Sequence, residues 1–563
     1  MSEVITETIL PGTYIEVRAA GLLTVGAIPT GNVGIIGTAE KGGLDFEILS
    51  GYEDGRAKFG EPGDWDPHNV AGNLSLVRAL KFIFDNGALT VYARRVFDPP
   101  PALPDPNIAP PVAASLQLLN ASNAPVLTLR AQTPGTWGNR LLVKIEAADA
   151  PTQVPNEILA PHNGNLMLSA AKLLLASPDA SIGSVMVTQH GLTRKFQLKT
   201  TAGAGVVQVD TGTKNLTFPT APPAGAEIEA SYWVTQDSLR KITFVYGNQQ
   251  EVYVVPSLSY LAQLLQDPTQ LSALVDVVQI TGDGLPAVSA TAQAFSGGDN
   301  GSPSLQSYMD ALDEMVAQDI QIVIPVGLTF SQIKASILGH VEITENLGRE
   351  RIAILGADTN DVTKILENAN DVADKRVVLV APGLSQQDPT TGQMIQLPAY
   401  YTAAAVAGKL SSLAPHISLT NKTLASIDAL AKDYNYGELK SLVLNRVLAL
   451  EDKMGIRVVK GISTDDQAFK QISVRRIVDY VKQGTRLGAN QYIGLLNNRA
   501  IRENLRTTLD SFLADLLIRE FLTAYTLTVT ADRAMEIAGQ VLVTMDLQPT
   551  FSIDVIRVIM NLS

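Results

Sequence analysis

The chain has 563 residues, of which 46% are hydrophobic and 18% are charged, a composition typical of a globular protein with roughly two to four domains. Its net charge of −13 at pH 7 argues against a surface for nucleic acid, which needs clustered Lys and Arg, so we expect no direct contact with DNA. Because the chain has no cysteine, disulfides, thiolate metal sites and thiol nucleophiles are excluded.

The N-terminal residues form a short, acidic and strand-like segment rather than a basic and apolar leader. Since no apolar run is long enough to span a bilayer, we expect a chain that folds in a cytoplasm and does not insert into a membrane. We interpret residues 1–25 as an N-terminal arm, because a period-two alternation there predicts a strand whose backbone needs a neighbour for its hydrogen bonds. The alternating residues are Tyr14, Ile15, Glu16, Val17 and Arg18.

Residues 26–97 are predicted to begin an α/β domain. The strands "NVGIIGTAE" and "LTVYARRV" flank the amphipathic helix "NLSLVRALKFIFDNG", which gives a β–α–β order. Seven prolines between Pro99 and Pro111 then favour an extended linker. Short segments rich in Thr, Val and Gly follow, so we interpret 98–295 as this linker and a mostly β insertion domain.

Residues 296–450 are predicted to return to the α/β domain. Strands and helices alternate between Ile320 and Pro382, which implies parallel strands joined by right-handed crossovers. We therefore expect one α/β core interrupted by the insertion. In the helix "LQSYMDALDEMVAQ", one apolar face is predicted to contain Leu305, Met309, Leu312 and Met315. The helix "AYYTAAAVAGKLSSL" consists of small residues and is suited to close packing.

Two glycine motifs resemble cofactor sites only superficially. Gly282, Gly284 and Ala287 have dinucleotide-binding spacing, but no helical pattern follows them to bind a pyrophosphate, and a turn is favoured. Gly408 and Lys409 lack the other residues of a phosphate loop. The five histidines are scattered and no nucleophile elbow occurs, so we predict no catalytic residue, metal or cofactor.

Residues 451–563 are predicted to form a C-terminal domain with two amphipathic helices. In the first, Val474, Ile477, Val478 and Val481 form the buried face, and we expect Arg475, Arg476, Asp479 and Lys482 to point away from it. Asp465 and Asp466 are interpreted as its N-terminal cap.

The second helix is predicted to serve two surfaces. Its apolar stripe contains Ile501, Leu505, Leu509, Phe512, Leu513 and Leu516. Arg499, Arg502 and Arg506 lie together on another face, either as solvated residues with intrahelical pairs such as Arg506 with Asp510, or as a contact surface.

The end of the chain is predicted to form strands that lack a sheet of their own. Val541, Val543, Met545 and Leu547 alternate with other residues, and after Pro549 the segment "FSIDVIRVIM" continues in the same manner. Exposed strand edges favour association, so these residues either pair within one subunit or exchange between subunits. The candidate exchange residues here are Phe551, Ile553, Val555 and Val558.

The string "GISTDDQAFKQISVRR", with "AYYTAAAVAGKLSSL" and "TPGTWGNRLLVKI", makes the chain resemble contractile tail sheath proteins, which form the sleeve of phage tails, R-type bacteriocins and related injection machines. The resemblance implies a multidomain α/β protein, α+β overall, that is not an enzyme. It implies terminal arms that add strands to neighbouring subunits. It also implies a helical homo-oligomer around an inner tail tube. The second helix of the C-terminal domain would then face that tube with Arg499, Arg502 and Arg506.

The resemblance further implies baseplate and tail terminator proteins as partners, and a location in the virion tail or an equivalent particle assembled in the host bacterial cytoplasm. Two alternatives stay open. One is an α/β enzyme with a β accessory domain, whose site would lie near Gly327, Gly356 and Pro382 at the carboxyl ends of parallel strands. The other is a static polymeric shell that does not contract.

Overall fold

The computed structural model describes residues 28–100, 110–160, 165–174, 181–269, 271–282, 284–388 and 392–561. The chain divides into two compact units. Unit 1 contains the residues up to Ala39, Leu44–Val96 and Pro303–Ser563, and unit 2 contains Glu40–Gly43 and Phe97–Ser302. Residues 451–563 therefore group with the α/β core in unit 1. The predicted strand at 14–18 lies outside the described residues.

Unit 1 begins with the predicted β–α–β order, which is confirmed by parallel pairing of the two strands, Val33 opposite Val91. A short strand and a polar helix, which the sequence pattern did not predict, also lie between the two strands. These elements are β1 (Val33–Gly37), β2 (Glu47–Leu49), α1 (Tyr52–Phe59), α2 (Leu76–Asp85) and β3 (Val91–Arg95).

Unit 2 is mostly β, with three antiparallel or mixed sheets around one apolar core that contains Trp137, Tyr232 and Phe244. Its sheets have the strand orders β11-β10-β9-β8-β12-β7, β14-β13-β6-β16 and β15-β5-β4. The elements are β4 (Ser115–Leu119), β5 (Pro125–Ala131), β6 (Leu142–Ala147), β7 (Thr152–Ile158), β8 (Gly183–Gln189), β9 (Leu192–Lys199), β10 (Val206–Val209), β11 (Leu216–Thr217), β12 (Glu227–Val234), β13 (Arg240–Tyr246), β14 (Gln249–Val255), α3 (Leu258–Leu265), β15 (Val275–Ile280) and β16 (Gln293–Ala294).

Unit 1 resumes with alternating helices and strands. Thr329 starts the second of these helices with a capping box, because its side chain accepts from the Gln332 N–H and the Gln332 side chain accepts from the Thr329 N–H. The elements are α4 (Leu305–Met315), β17 (Ile322–Pro325), α5 (Phe330–Asn346), β18 (Ile352–Gly356), α6 (Val362–Asn370), β19 (Val377–Ala381), β20 (Leu384–Gln387), β21 (Met394–Leu397), α7 (Ala399–Ser411), β22 (Ala429–Leu430), α8 (Tyr436–Leu444), β23 (Val447–Asp452) and β24 (Ile456–Val458).

The main sheet of unit 1 has eight strands in the order β2-β3-β1-β17-β18-β19-β23-β24. Its six central strands, from β3 to β23, are parallel, and β1 pairs with both β3 and β17, so the sheet joins the segments on either side of unit 2 as predicted. Residues of α2 and α7 cover one face of the sheet, and residues of α4, α5, α6 and α8 cover the other. Burial on both faces explains why the strands are continuously apolar.

The C-terminal region of unit 1 places two long helices beside a β-hairpin. One mixed cluster of apolar side chains from both helices and the hairpin holds it together. The elements are α9 (Ile472–Asn490), α10 (Arg499–Ile518), β25 (Leu522–Thr530), α11 (Arg533–Ile537) and β26 (Leu542–Pro549). We call β25 and β26 the C-terminal hairpin.

The predicted apolar face of α4 is confirmed at Leu312 and Met315, which are buried, but it is wrong at Leu305 and Met309, because the buried face is rotated toward Tyr308. Leu305 is 43% exposed and Met309 is 37% exposed, whereas Tyr308 is buried beside Leu312 and Met315. The cause is a polar contact, because the Tyr308 hydroxyl donates to the Val326 carbonyl oxygen at 3.0 Å and so holds this ring against the sheet. Apolar periodicity alone does not reveal such a bond.

The close packing predicted for α7 is confirmed at Gly408. A Cβ atom at this position would overlap the carbonyl group of Ile83 in α2, so the two helices approach at backbone distance. Substitution Gly408→Ala should lower the free energy of unfolding by about 1–3 kcal/mol, because the helices must separate.

Urea denaturation followed by circular dichroism would measure this change. The matched control is Gly339→Ala within α5, where a new Cβ has no described atom within 4 Å. There alanine should raise stability by about 0.5–1 kcal/mol, because it favours the helix. Equal effects of the two substitutions would contradict the packing argument.

Candidate assembly surfaces of the C-terminal region

The helix α9 is buried on more sides than its apolar periodicity predicted. The apolar face is buried as expected at Val474, Ile477 and Val481, whereas Val478 is only partly buried. Arg475 and Arg476 are also buried, which corrects the prediction that they point away from the core. Their burial is possible because Arg475 meets the Asp479 carboxylate on the same helix and Arg476 meets two backbone carbonyl oxygens.

The buried arginines belong to a network that we call the charge clamp. Arg376, which precedes β19, donates to both oxygens of Asp479 at 2.9 and 3.0 Å and to both oxygens of Glu345 at 2.9 Å. Arg475 donates to Asp479 at 2.7 Å, and Arg476 donates to the Thr30 and Leu413 carbonyl oxygens at 3.1 and 3.0 Å. Bidentate pairs of this kind fix orientation as well as position.

The charge clamp extends along α9 through two further basic residues. Lys482 pairs with Glu345 and Glu350 at 3.2 and 3.1 Å, and Arg486 pairs with Glu350. Hydrogen bonds from Arg376 hold the pKa of Glu345 well below its ordinary value. Burial alone would raise the pKa of Glu350, but hydrogen bonds from Arg486 and Lys482 outweigh burial and lower it to about 2.

The other side of α9 packs on α10 through apolar contacts. A Cβ at Gly484 would overlap the ring of Phe512, so this glycine lets the two helices approach closely. The stripe predicted on α10 is confirmed for Leu505, Leu509, Phe512, Leu513 and Leu516, which are buried. Ile501 is only partly buried, because it lies in the first turn of the helix.

The three arginines of α10 differ in their surroundings. Arg502 is mostly buried and donates to Asn497 at 2.9 Å and to Glu536 of α11 at 3.0 Å. Arg506 is exposed and donates to Glu503 at 2.9 Å rather than to the predicted Asp510. Asp510 instead accepts from the Tyr525 hydroxyl at 3.0 Å, which attaches the hairpin to α10. Arg499 is exposed.

The C-terminal hairpin has one apolar and one polar face. Tyr525, Leu527, Met545 and Leu547 pack against the helices. The opposite face is exposed and consists mainly of threonine, with Asp546 bonded to Thr526 at 2.8 Å. Within the described part of the chain, β25 and β26 pair only with each other, so this sheet presents two edges.

Residues 550–561, which we call the C-terminal arm, follow the hairpin without forming a strand in the single chain. The Thr550 N–H donates to the Phe521 carbonyl oxygen at 3.1 Å, which fixes the start of the arm. The predicted exchange residues Phe551, Ile553, Val555 and Val558 are 63%, 80%, 83% and 71% exposed. The C-terminal arm is therefore a long apolar surface that one copy of the chain leaves uncovered.

The predicted cap at Asp465 is wrong. Asp465 accepts from the backbone N–H groups of Gln467 and Phe469 at 3.1 and 2.8 Å, which closes a turn that is not helical. The helix α9 begins seven residues later at Ile472, with Gln471 as its N-terminal cap. An Asx turn and a helix cap use the same side-chain chemistry, so the sequence alone does not separate them.

Protein atoms lie close to Gly327 and Gly356, two of the three strand ends near which an α/β enzyme would bind its substrate. A Cβ at Gly356 would overlap the backbone of Ala399 and Tyr400, because α7 begins directly on this strand end. A Cβ at Gly327 would lie 2.7 Å from Ser75 Oγ and 2.8 Å from the Tyr308 hydroxyl. A cavity of about 290 Å³ lies instead at the amino ends of β17 and β18.

Two features of the described ranges bear on other functions. No group of three or more His, Asp or Glu side chains in these ranges is arranged to hold a metal ion. None of the described helices is both long enough and apolar enough to cross a membrane.

The C-terminal region is similar to a domain of known proteins. Residues 464–563 match the model of the phage tail sheath C-terminal domain. The chain resembles tail sheath proteins. Similarity to the tail sheath protein of Bacillus phage SP01 is 33% identity over 243 residues, 40% of this chain and 41% of that protein. The tail sheath protein of Mycobacterium phage Bxz1 is 28% identical over 208 residues, which are 34% of this chain and 36% of that protein.

The matches to these curated relatives thus span less than half of their length. A crystal structure of a sheath tail protein from Desulfitobacterium hafniense extends the likeness to the fold of nearly the whole chain. It has a TM-score of 0.57 and 13% identity, and the match covers 96% of this chain and 100% of that one. The sequence-based resemblance to tail sheath proteins, and the multidomain fold of mixed helices and strands, are confirmed.

The charge clamp predicts an acid-sensitive attachment of α9. The pKa values of Glu345 and Glu350 are lowered in the folded chain, so their contribution to stability is complete above pH 4.5, their ordinary value, and is lost as pH falls toward about 2. Glu350→Gln should lower the urea midpoint at neutral pH and weaken this pH dependence. Urea denaturation at several pH values would measure both effects.

The matched control is Glu342→Gln, because Glu342 is exposed on α5. This substitution should leave the urea midpoint and its pH dependence close to those of the unmodified chain. If Glu350→Gln and Glu342→Gln behave alike, the charge clamp contributes nothing to the stability of unit 1.

Proposed function

We propose that the chain is a structural subunit of a contractile tail sheath, which polymerises helically around an inner tube and contracts to drive the tube through a cell envelope. The observation that carries this proposal is the sheath-type C-terminal region, in which a two-stranded hairpin and an apolar C-terminal arm are left uncovered by the single chain. Uncovered strand edges and apolar surface favour assembly of many copies.

In this proposal the terminal arms link the subunits. The N-terminal arm, with Tyr14, Ile15, Glu16, Val17 and Arg18, and the C-terminal arm add strands to hairpins of neighbouring copies. Main-chain hydrogen bonds supply affinity in this mode of binding, and alternate side chains supply register. A sleeve linked by such strands changes its lattice without dissociating, because each arm keeps its partner while the subunits rotate.

The inner tube is the proposed partner of α10. Arg499 and Arg506 are exposed on its first turns, while Arg502 fixes the position of this helix against α11. Each contact is weak, but the contacts repeat once per subunit and therefore sum along the particle. Baseplate and tail terminator proteins would bind the two ends of the sleeve.

The proposed mechanism is mechanical rather than enzymatic. Subunits assemble in an extended lattice, and a signal from the baseplate releases them into a shorter and wider one. A modest preference of each subunit for the second packing is sufficient, because the lattice adds this preference over many copies. The filled strand ends at Gly327 and Gly356 favour this reading over an α/β enzyme. The proposed location is the virion tail or an equivalent particle, assembled in the host bacterial cytoplasm.

Electron microscopy of the purified full-length chain tests the proposal. We expect long striated tubes, either alone or when the tube protein of the same particle is added. Removal of residues 1–20 should leave a folded subunit that forms no ordered tube. A monodisperse small particle under all these conditions would contradict a sheath, and tubes with only one lattice spacing would favour a static shell.

The arginine contact has its own test. Replacing Arg499 and Arg506 together with glutamate should reduce co-sedimentation of preassembled tube protein by at least about tenfold, because two favourable charge pairs per subunit become repulsive. The matched control replaces Arg533 and Arg519 together with glutamate, because both are exposed elsewhere in the C-terminal region. Equal loss in both double variants would show that net charge, and not α10, determines binding.

A further inference from the structure

The C-terminal arm changes its apolar side between Val555 and Ile556. From Phe551 to Val555 the odd-numbered residues are apolar and exposed, whereas Ser552 and Asp554 are partly buried against the chain's own core. From Ile556 onward the even-numbered residues are apolar, namely Ile556, Val558 and Met560. In an extended strand odd and even residues point to opposite faces, so the two halves present opposite apolar faces.

The first half is held by the subunit to which it belongs. Asp554 forms an ion pair with Lys460 at 3.0 Å and accepts hydrogen bonds from Gln471 at 3.1 Å and Ser552 at 3.0 Å. Thr420 donates to the same carboxylate at 3.4 Å. Three separate segments of unit 1 therefore meet at Asp554. We call 550–555 the root of the arm.

The second half has no such attachment within the described part of the chain. Every residue from Val555 to Asn561 is exposed, and Ile556, Val558 and Met560 are 80%, 71% and 84% exposed. The opposite side contains Arg557 and Asn561, with Ile559 as the exception. We call 556–561 the tip of the arm.

The faces of the tip match the C-terminal hairpin. The hairpin has an apolar face formed by residues such as Leu527 and Met545 and a polar face that carries Asp546. A strand added to its edge needs apolar residues on one side only. With Ile556, Val558 and Met560 on the apolar side, Arg557 falls on the side of Asp546, which gives opposite charges on the same face.

We propose that the C-terminal arm is divided at Val555, so that Asp554 fixes the root on its own subunit and only the tip enters the hairpin of a second copy, with Ile556, Val558 and Met560 inward. This inference rests on the proposed function, and it narrows the exchanged residues. Phe551, Ile553 and Val555 belong to the fixed root, and Ile559 faces away from the apolar contact. Anchoring the root lowers the cost of exchange, because fewer residues must be ordered when the tip binds.

A matched pair of substitutions tests the face of the tip. Ile556→Asp should raise the concentration of full-length chain needed for sedimentable tubes by at least about tenfold, because a carboxylate would enter an apolar contact. Ile559→Asp, the same change three residues later, should alter it by less than about threefold. Both side chains are exposed in the single chain, so both variants should keep the urea midpoint of the unmodified protein.

The outcomes separate this inference from the proposed function. If the unmodified chain forms no tubes, the proposed function fails and the inference fails with it. If the unmodified chain forms tubes but Ile559→Asp is as damaging as Ile556→Asp, or more so, the inference alone fails. Loss of tubes with Ile556→Asp only would support it.

The role of Asp554 has a separate readout in the unassembled subunit. Asp554→Ala should accelerate hydrogen exchange of the Thr550 and Ser552 amides, which donate to the Phe521 carbonyl oxygen and to Gln471 Oε1, by at least about tenfold. Exchange in α10 should stay unchanged, because only the root is released. Asp452→Ala is the matched control, since this aspartate is exposed at the end of β23 and lies outside the hairpin and the arm. If hydrogen exchange in the root is unchanged in the Asp554→Ala variant, Asp554 does not anchor the root.

Discussion

Strand edges and apolar side chains that one copy of the chain cannot cover are the constraint on which the other features depend. A two-stranded hairpin is marginally stable by itself, and here the helices α9 and α10 support only one of its faces. The C-terminal arm adds a row of exposed apolar residues to the same region. In the proposed function other copies of the chain bury this surface, and polymerisation through the ends of the chain requires that those ends are held in fixed positions.

The charge clamp supplies that fixed position. Arg376, at the amino end of β19, joins the parallel sheet to Asp479 on α9, and Arg486 joins the same helix to Glu350. Buried ion pairs contribute little net stability compared with apolar packing, but they penalise every orientation in which a charge loses its partner. A polar attachment of this kind restricts the direction of α9 relative to the sheet, and α10 and the hairpin pack on that helix.

The parallel core could be predicted from the sequence because its signals are local. Continuous apolar segments predict buried parallel strands. Capping residues indicate where α5 begins, and the small residues of α7 indicate close helix packing. The buried state of Arg476 could not be predicted, because it depends on the Thr30 and Leu413 carbonyl oxygens, which are distant in the sequence. The pair of Arg475 with Asp479 is local, but its burial depends on the distant Arg376, which also binds Asp479. The same reason explains the rotation of α4, which follows from one hydrogen bond between Tyr308 and Val326.

Some features of the candidate assembly surfaces could likewise be predicted from the sequence, and others depend on long-range partners. The alternation in the C-terminal arm was visible in the sequence, but its division into a root and a tip appears only when Asp554 is seen beside Lys460 and Gln471. The arginines of α10 looked equivalent by spacing, and the structure distinguishes them because Arg502 meets Glu536 from a segment that is distant in the sequence. Periodicity identifies which residues share a face, and long-range partners decide which of them are available.

Helical reconstruction by cryo-electron microscopy of polymer assembled from the full-length chain would test the central claim most directly. The account predicts a lattice in which 556–561 of one copy form a strand beside the C-terminal hairpin of another, while Asp554 stays bound to Lys460 of its own copy. A lattice in which the C-terminal arm folds back onto its own hairpin, with subunits joined through other surfaces, would contradict it.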